Sequence, residues 1–366
     1  MANVKKINKT ISKFFIKNTY PQKFNLNLLR KMDTVVHYLT WRCNSRCITC
    51  SCWQTSPEEK EKEVWIPENI KKFYSSIKVD FVYLTGGEPT VVPNFKEIVY
   101  LIYKTSKADI SFNTNSLAIQ KIKEDFLWLK SKEIPFSVSL SCNGFEKTHD
   151  FSRGIKGNYQ KVLELINFLE ENKIKYNLLY TIFPFNIDET SEFVNFWRRK
   201  KGVWVGLMLG RSDERYKLKE ISKRNLNFSK EDYKKIEKIL SSLIKTYPDY
   251  LPIYYLVKGI NENKKTFPCF GLVKRIEIDP YGNVYPCDGL LENLFIGNLK
   301  ESDFNFNVFL EKNKNRIEKA FEIIKEKKCQ PCSYVCDLVY GIELSLPKKD
   351  LAKIYFYKLF QKCLPK

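Results

Sequence analysis

Between Thr34 and Leu209 the chain repeats one pattern, a short apolar run followed by a stretch with helical periodicity. The runs are Val35–Thr40, Asp80–Thr85, Asp109–Thr114, Phe136–Ser141, Tyr176–Ile182 and Val203–Leu209, with helices predicted near 67–76, 93–106, 119–131, 158–172 and 189–200. Val162, Leu165 and Phe168 fall on one helical face, as a crossover helix packed on a sheet requires. Alternation of this kind demands a parallel sheet covered on its faces by helices. The repeat by itself permits either a doubly wound sheet or an incomplete barrel of six βα units. In both, ligands gather at the carboxyl ends of the strands.

The end of the first run carries the chemistry. Residues 38–53 read Y-L-T-W-R-C-N-S-R-C-I-T-C-S-C-W, and Cys43, Cys47 and Cys50 form C-x3-C-x2-C. Three thiolates cannot complete the shells of all the irons of a four-iron cluster, so one iron stays open to another ligand. The competing reading is a structural zinc site with Cys52 as fourth thiolate. Eleven cysteines in a chain of 366 residues do not make a small secreted disulfide scaffold. Their clustering favours metal in a reducing compartment, which predicts a cytoplasmic protein. No run of eighteen apolar residues is present, and Lys13 and Lys17 interrupt the N-terminal apolar points, so neither a membrane span nor a signal peptide is expected.

Further motifs follow in order. Gly86-Gly87-Glu88-Pro89 ends the second run, Asn113-Thr114-Asn115-Ser116 the third, and Ser139-Leu140-Ser141-Cys142-Asn143-Gly144 the fourth, with His149-Asp150 and Arg153-Gly154 just beyond. Nearer the C-terminus stand Cys269, then Gly282-x4-Cys287 after a predicted hairpin (Lys274–Asp279 and Val284–Pro286), then Cys329-x2-Cys332-x3-Cys336, and finally Cys363. Across about residues 34–340 this series resembles the radical S-adenosylmethionine superfamily, in the branch with a C-terminal SPASM or twitch auxiliary iron–sulfur domain.

The resemblance implies a partial (β/α)6 TIM-like barrel followed by a small cysteine-rich α+β domain. It implies S-adenosylmethionine bound to a [4Fe–4S] cluster on Cys43, Cys47 and Cys50, whose reduction yields a 5′-deoxyadenosyl radical that takes a hydrogen atom from substrate. The cofactor's contacts are expected from Gly86, Gly87, Glu88, Pro89, Asn113, Asn115, Ser139, Ser141 and Arg153. At least one auxiliary [4Fe–4S] cluster is expected on Cys269, Cys287, Cys329 and Cys332, with Cys336 as a substitute ligand. The sequence departs from the family pattern at three places: Ser116 where Gly is usual, Asn143 where Asp is usual, and the polar Thr49 where an aromatic precedes the third cysteine. Trp53 and Tyr38 are the two candidates to supply the missing apolar surface. His149, one of only two histidines, reads as a hydrogen-bonding residue at a helix start.

The expected domain order is a basic N-terminal extension (1–31), the barrel (32–228), a linking helical segment (229–264), the auxiliary domain (265–345) and a basic aromatic C-terminal helix (346–366) packed over that domain. Ser229 and Asp232 form a capping-box-like start to a helix whose stripe is Ile236, Ile239, Leu240 and Leu243. The expected reaction is modification of a peptide or protein side chain by oxidation, cross-linking or epimerisation, with Cys52 and Cys142 as candidate hydrogen donors. The alternative is a small alcohol, sugar or lipid substrate. The resemblance also implies a flavodoxin- or ferredoxin-type electron donor. Only 42 residues precede Cys43, so a peptide substrate calls either for a separate peptide-recognition protein or for direct recognition by the barrel mouth. The formal charge of +20 suits an acidic partner or peripheral contact with an anionic membrane, and is equally a matter of bulk composition. A nucleic-acid-binding metalloprotein is the alternative of a different class, but no recognised nucleic-acid motif accompanies the charge.

Overall fold

The computed structural model describes residues 25–54, 61, 64–210, 226–262, 267–287, 294–326 and 345–363. In chain order the barrel elements are β1 Lys31–Thr40, α1 Pro67–Ser76, β2 Lys78–Gly86, α2 Phe95–Ser106, β3 Asp109–Thr114, α3 Ile119–Ser131 and β4 Phe136–Ser141. They continue with α4 Glu146–Arg153, α5 Asn158–Glu171, β5 Lys175–Ile182, α6 Thr190–Asn195, which runs on into a π turn at Phe196–Lys200, and β6 Val205–Leu209. After these come α7 Lys230–Thr246, α8 Leu251–Asn261, β7 Arg275–Ile278, β8 Asn283–Tyr285, β9 Gly297–Asn298, α9 Phe306–Lys312, α10 Lys314–Lys325 and α11 Lys348–Cys363.

One sheet of nine strands runs β6-β5-β4-β3-β2-β1-β7-β8-β9. Strands β1 to β6 are parallel neighbours in chain order, the open six-unit arrangement expected of the partial barrel. Strand β1 lies inside the sheet and is buried along nearly its whole length, because helices and neighbouring strands cover it on every side. Aromatic packing fills the space between sheet and helices, with Phe112 edge-on to Phe95 at 5.0 Å and Phe126 at 5.3 Å from it. The Ser229 hydroxyl accepts from Asp232 N and Asp232 accepts from Ser229 N, so α7 begins with a reciprocal cap, and Ile236, Leu240 and Leu243 are its buried stripe.

The hairpin β7–β8 is not a separate layer. β7 pairs with β1 in parallel, Thr34 opposite Arg275 and His37 opposite Ile278, so the cysteine-rich region continues the barrel's own sheet. β8 returns antiparallel, with Glu277 opposite Tyr285. The sixth strand starts at Val205, two residues later than expected, because Val203 N bonds Trp197 O at the end of the π turn. α4 is only eight residues long, and α8 carries Pro252 in its first turn, where no amide bond is lost.

The C-terminal helix α11 is tied to the barrel by polar contacts. Its polar partners among the described residues lie on the barrel's last unit and α8: Arg198 donates to Tyr357 Oη at 2.8 Å, and Tyr255 Oη donates to Asp350 at 2.7 Å. Arg198 also holds both oxygens of Asp249 at 3.0 Å and lies over the rings of Tyr247 and Tyr250. A planar cation among aromatic faces and one carboxylate is an anchor here. Among the described residues no helix is long and apolar enough to cross a membrane. Most of the basic N-terminal segment (1–24) and of the basic loop (211–225) lies outside the described residues.

Candidate active site at the carboxyl ends of the strands

The loop carrying Cys43, Cys47 and Cys50 leaves the carboxyl end of β1 and is pinned by its neighbours. Gly87 N donates to Thr40 O at 2.7 Å and Glu88 N to Arg42 O at 2.8 Å, so the turn after β2 lies flat against the approach to Cys43. Gly86 has φ +143°, and a Cβ there would stand 2.2 Å from Thr40 O, while one on Gly87 would stand 2.3 Å from Arg42 O. Only glycine permits that approach. Glu61 adds a clamp that the sequence did not announce, accepting from Thr40 Oγ1 at 2.8 Å and Trp41 N at 2.6 Å.

The three sulfurs are each met by a donor. Ser45 N donates to Cys43 Sγ at 3.4 Å, Cys52 N to Cys50 Sγ at 3.4 Å, and Arg153 Nη1 to Cys47 Sγ at 3.3 Å. The Ser45 hydroxyl shares a hydrogen bond with Cys47 Sγ at 3.1 Å, and Asn115 Nδ2 reaches Cys43 Sγ at 3.8 Å. Donors to sulfur stabilise thiolate charge and tune a cluster bound to it. Burial, then Glu88, pushes the Cys43 thiol up to about 12. Metal binding displaces such a proton. Among the described residues no group of three or more Cys, His, Asp or Glu side chains is placed to hold one metal ion.

Around this loop the motif residues collect as the strand order dictates. Glu88 is buried and fully engaged: it accepts from Thr90 Oγ1 at 2.6 Å and from Asn115 N at 2.7 Å, tying the end of β2 to the end of β3. Burial raises its pKa. Asn115 Nδ2 donates to Asn44 Oδ1 at 2.8 Å, reaching back to the cysteine loop. Ser139 Oγ donates to Asn177 Oδ1 at 3.0 Å, and Ser141 is half-buried at the end of the same strand. Ser116 adopts φ +64°, which explains why glycine is the family's usual residue there.

Asn143 is a hub just past the end of β4. Its Nδ2 donates to Ser152 Oγ at 2.8 Å while its Oδ1 accepts from Thr181 N at 3.2 Å. Its backbone N donates to His149 Nδ1 at 3.1 Å, so His149 sits in the first turn of α4 with Nδ1 as acceptor and Nε2 facing Asn158 Oδ1 at 3.2 Å. Burial pulls His149 down to about 3, so the ring stays neutral. Asn158 completes the chain by donating to Asn115 O at 2.9 Å. Asn158 and Asn44 escaped the sequence analysis; the only signal was an Asn following Gly157 at a helix start.

Cys142 lies in the hydrophobic core with its thiol against Gly144 O at 3.5 Å, and burial pushes it up to about 12. Cys52 is buried in the short turn Cys52–Gln54. Trp53 Nε1 donates to Cys47 O at 3.2 Å, whereas Tyr38 is buried within β1, its ring 5.2 Å from that of Trp41.

Cys269 and Cys287 flank the hairpin. Gly271 N donates to Cys269 Sγ at 3.4 Å, and a Cβ on Gly271 would stand 2.8 Å from Pro286 O, so the two cysteine-bearing segments abut. β8 runs back towards the level of Thr34, so Cys287 stands near the amino end of β1 while Cys43 stands past its carboxyl end. The strand between those levels, Thr34 to Thr40, is about 20 Å long. Cys329, Cys332 and Cys336 lie outside the described residues, as does the side chain of Cys363.

The residues present fit a cluster with an amino-acid-bearing nucleotide on it. Arg153 has Nε and Nη2 buried without a partner beside Cys47, and Asn113 Oδ1 and Ser116 Oγ are buried and unpartnered at the end of β3. A buried guanidinium with half its donors unused costs free energy unless an anion takes them.

Comparison with known proteins agrees. Residues 38–196 match the radical SAM superfamily and residues 269–337 the iron–sulfur cluster-binding SPASM domain. The chain is a member of the radical SAM superfamily. Within it, it belongs to the branch with a C-terminal SPASM domain, and S-adenosylmethionine, a [4Fe–4S] cluster and auxiliary iron–sulfur binding come with that membership. It is 31% identical over 158 residues to the sporulation killing factor maturation protein SkfB of Bacillus subtilis (strain 168), a match covering 43% of this chain and 37% of SkfB. It is 26% identical over 279 residues to the antilisterial bacteriocin subtilosin biosynthesis protein AlbA of the same strain, covering 73% of this chain and 58% of AlbA. The chain thus spans less than two thirds of the length of either. The fold is shared with anSMEcpe bound to AdoMet and the Kp18Cys peptide, at TM-score 0.60 and 19% identity, covering 89% of this chain and 96% of that one.

Proposed function

We propose that this radical SAM enzyme modifies a side chain of a peptide or protein. The observation that carries the cofactor half of this reading is Arg153, beside Cys47 with two donor nitrogens buried and unused. Cys43, Cys47 and Cys50 would hold the catalytic cluster. When bound, cluster and S-adenosylmethionine supply a 5′-deoxyadenosyl radical able to abstract hydrogen from carbon. This chain's own residues then bind and orient. The planar fork of Arg153 is suited to a carboxylate. The turn Gly86–Pro89 offers main-chain groups at the strand ends, as do Asn113, Asn115, Ser139 and Ser141 through their side chains. Cys269 and Cys287, with Cys329, Cys332 or Cys336, would hold an auxiliary cluster.

The peptide half rests on likeness to SkfB and AlbA, whose names assign them to maturation of a killing factor and biosynthesis of a bacteriocin. The test is anaerobic incubation of reconstituted enzyme, reductant and S-adenosylmethionine with each short peptide encoded beside the gene, followed by mass spectrometry. A mass change or solvent-deuterium exchange in one peptide is the expected result. Abundant 5′-deoxyadenosine with neither change in any of them would sink the peptide assignment and favour a small-molecule substrate.

A further inference from the structure

Successive side chains of a strand point to opposite faces of its sheet. Phe112, Leu140 and Leu178 belong to the core shared with the helices, so their chain neighbours Asn113, Ser139 and Asn177 face the barrel interior. These three are direct partners across the sheet, Asn113 opposite Ser139 and Ser139 opposite Asn177, and form one inward rung over β3, β4 and β5. Asn113 and Ser139 lie in motifs that the resemblance ties to S-adenosylmethionine. Asn177 belongs to no motif and is half-buried.

The rung has a polarity. Ser139 Oγ donates to Asn177 Oδ1 at 3.0 Å, while Asn177 Nδ2 faces Leu178 O at 3.4 Å. A flipped amide would set its oxygen against that carbonyl, so Leu178 O fixes which end of Asn177 meets Ser139. A hydroxyl has a single proton. With that proton given to Asn177, the Ser139 oxygen offers only lone pairs to the interior. One strand away, Asn113 Oδ1 is a buried acceptor without a partner. Two residues before Asn113, Ser111 spends its proton in the same way, on Ser137 O at 3.1 Å. The wall at this level is a pair of acceptors on neighbouring strands, and strands lie about 4.8 Å apart. It repels a carboxylate and takes hydrogen bonds from hydroxyl or ammonium donors. Two acceptors side by side match a vicinal diol better than the single point of an ammonium group.

We propose that Asn177 is a positioning residue for S-adenosylmethionine: by holding the Ser139 proton, it makes Ser139 and Asn113 an acceptor pair for the cofactor's ribose diol. Asn177 acts through Ser139 and touches no ligand atom itself. Without it the Ser139 hydroxyl is free to turn its proton inwards, where it opposes the hydroxyl it should receive. The assignment rests on the cofactor reading above and is independent of the substrate.

The experiment measures S-adenosylmethionine binding to reconstituted enzyme by equilibrium dialysis, each variant checked for full iron and sulfide content. The variants are Asn177→Leu, Asn177→Asp, Ser139→Ala and Ser139→Ala/Asn177→Leu, with Asn177→Ala in place of Asn177→Leu if the latter does not load iron. Asn177→Leu should bind roughly threefold to tenfold more weakly, the scale of one hydrogen bond. Asn177→Asp keeps an acceptor for the Ser139 hydroxyl and should hold most of the affinity. Added to Ser139→Ala, Asn177→Leu should cost nothing further, because the proton it misplaces is gone. Of the 2′-deoxy and 3′-deoxy analogues of S-adenosylmethionine, the one lacking the hydroxyl that meets Ser139 should bind wild type and Asn177→Leu alike. Equal affinity of wild type and Asn177→Leu for S-adenosylmethionine would overturn the proposal, as would an undiminished loss when Asn177→Leu is added to Ser139→Ala. Unchanged binding by Ser139→Ala would remove the cofactor contact at Ser139 and the proposal with it, leaving the cluster at Cys43, Cys47 and Cys50 in place.

Discussion

Arg153 Nη1 stands 3.3 Å from Cys47 Sγ, although the two residues are 106 positions apart, and the contact joins the helix after β4 to the loop after β1. Neighbouring thiolate charge and this hydrogen bond favour the charged guanidinium and outweigh burial, so its pKa is raised further. The side chain thus meets a cysteine sulfur through Nη1 and keeps Nε and Nη2 buried without a partner.

Replacing Arg153 by Lys keeps the charge and removes the fork. We expect S-adenosylmethionine binding to weaken by roughly tenfold to a hundredfold, the range of charge-assisted hydrogen bonds. Iron content should stay close to wild type. Equilibrium dialysis beside iron analysis checks it, and unchanged affinity would show that the guanidinium does not meet the cofactor.

The two cysteine groups are separable by metal count. Reconstituted wild type should carry about eight irons, in the simplest case of two four-iron clusters. Cys43→Ala/Cys47→Ala/Cys50→Ala should lose about four of them and all 5′-deoxyadenosine release. Cys269→Ala/Cys287→Ala should also lose about four and yet still cleave S-adenosylmethionine without substrate. Loss of cleavage in this second variant, with its remaining cluster intact by Mössbauer spectroscopy, would mean that the sites are not independent.

His149 gives the fold a pH dependence. Its folded-state pKa of about 3 lies below the ordinary value of 6.5, so between those limits the unfolded chain binds the extra proton. Stability is therefore full above about pH 6.5 and falls on acidification by about 1.4 kcal/mol per pH unit for each such group. His37, held at about 3 by burial in β1, acts in the same direction. Urea unfolding at pH 7.5, 6 and 5 should show the loss, and His149→Gln should make the slope shallower. A slope unchanged by that substitution would remove His149 from the account.

Much of this site was legible because its parts are local. A thiolate triad, a double-glycine turn and short apolar runs are each written within a few residues, and the parallel sheet then has to bring strand ends together. What was not legible is non-local. Nothing in Arg275–Ile278 says that its partner is β1, a pairing that runs the barrel sheet on into the hairpin. Asn158 reads as an ordinary helix start; only the fold shows it linking His149 to Asn115, and Asn115 to the cysteine loop. The C-terminal helix has apolar residues at mixed spacing, so its sequence does not choose a face, and the choice is made by Arg198 and its ring of tyrosines.

Ser116 tests the reading of the turn after β3 in the stabilising direction. It holds φ +64°, where a Cβ crowds the following carbonyl, and its hydroxyl is buried without a partner. Its backbone N is nevertheless used, donating to Thr114 Oγ1 at 3.1 Å, so the turn itself is fixed by its surroundings. Ser116→Gly removes the strained Cβ and the unsatisfied hydroxyl while leaving that amide in place. The released backbone strain is about 1 kcal/mol, reduced in part by the greater freedom of glycine in the unfolded chain. If the hydroxyl is there only by packing, the variant should unfold at a higher denaturant midpoint with its S-adenosylmethionine affinity unchanged. If the hydroxyl meets the cofactor's ribose, stability should still rise but affinity should drop severalfold, as expected for one lost hydrogen bond. Chemical denaturation paired with equilibrium dialysis separates the two, and a destabilised variant would show that the turn needs the serine for a reason other than either.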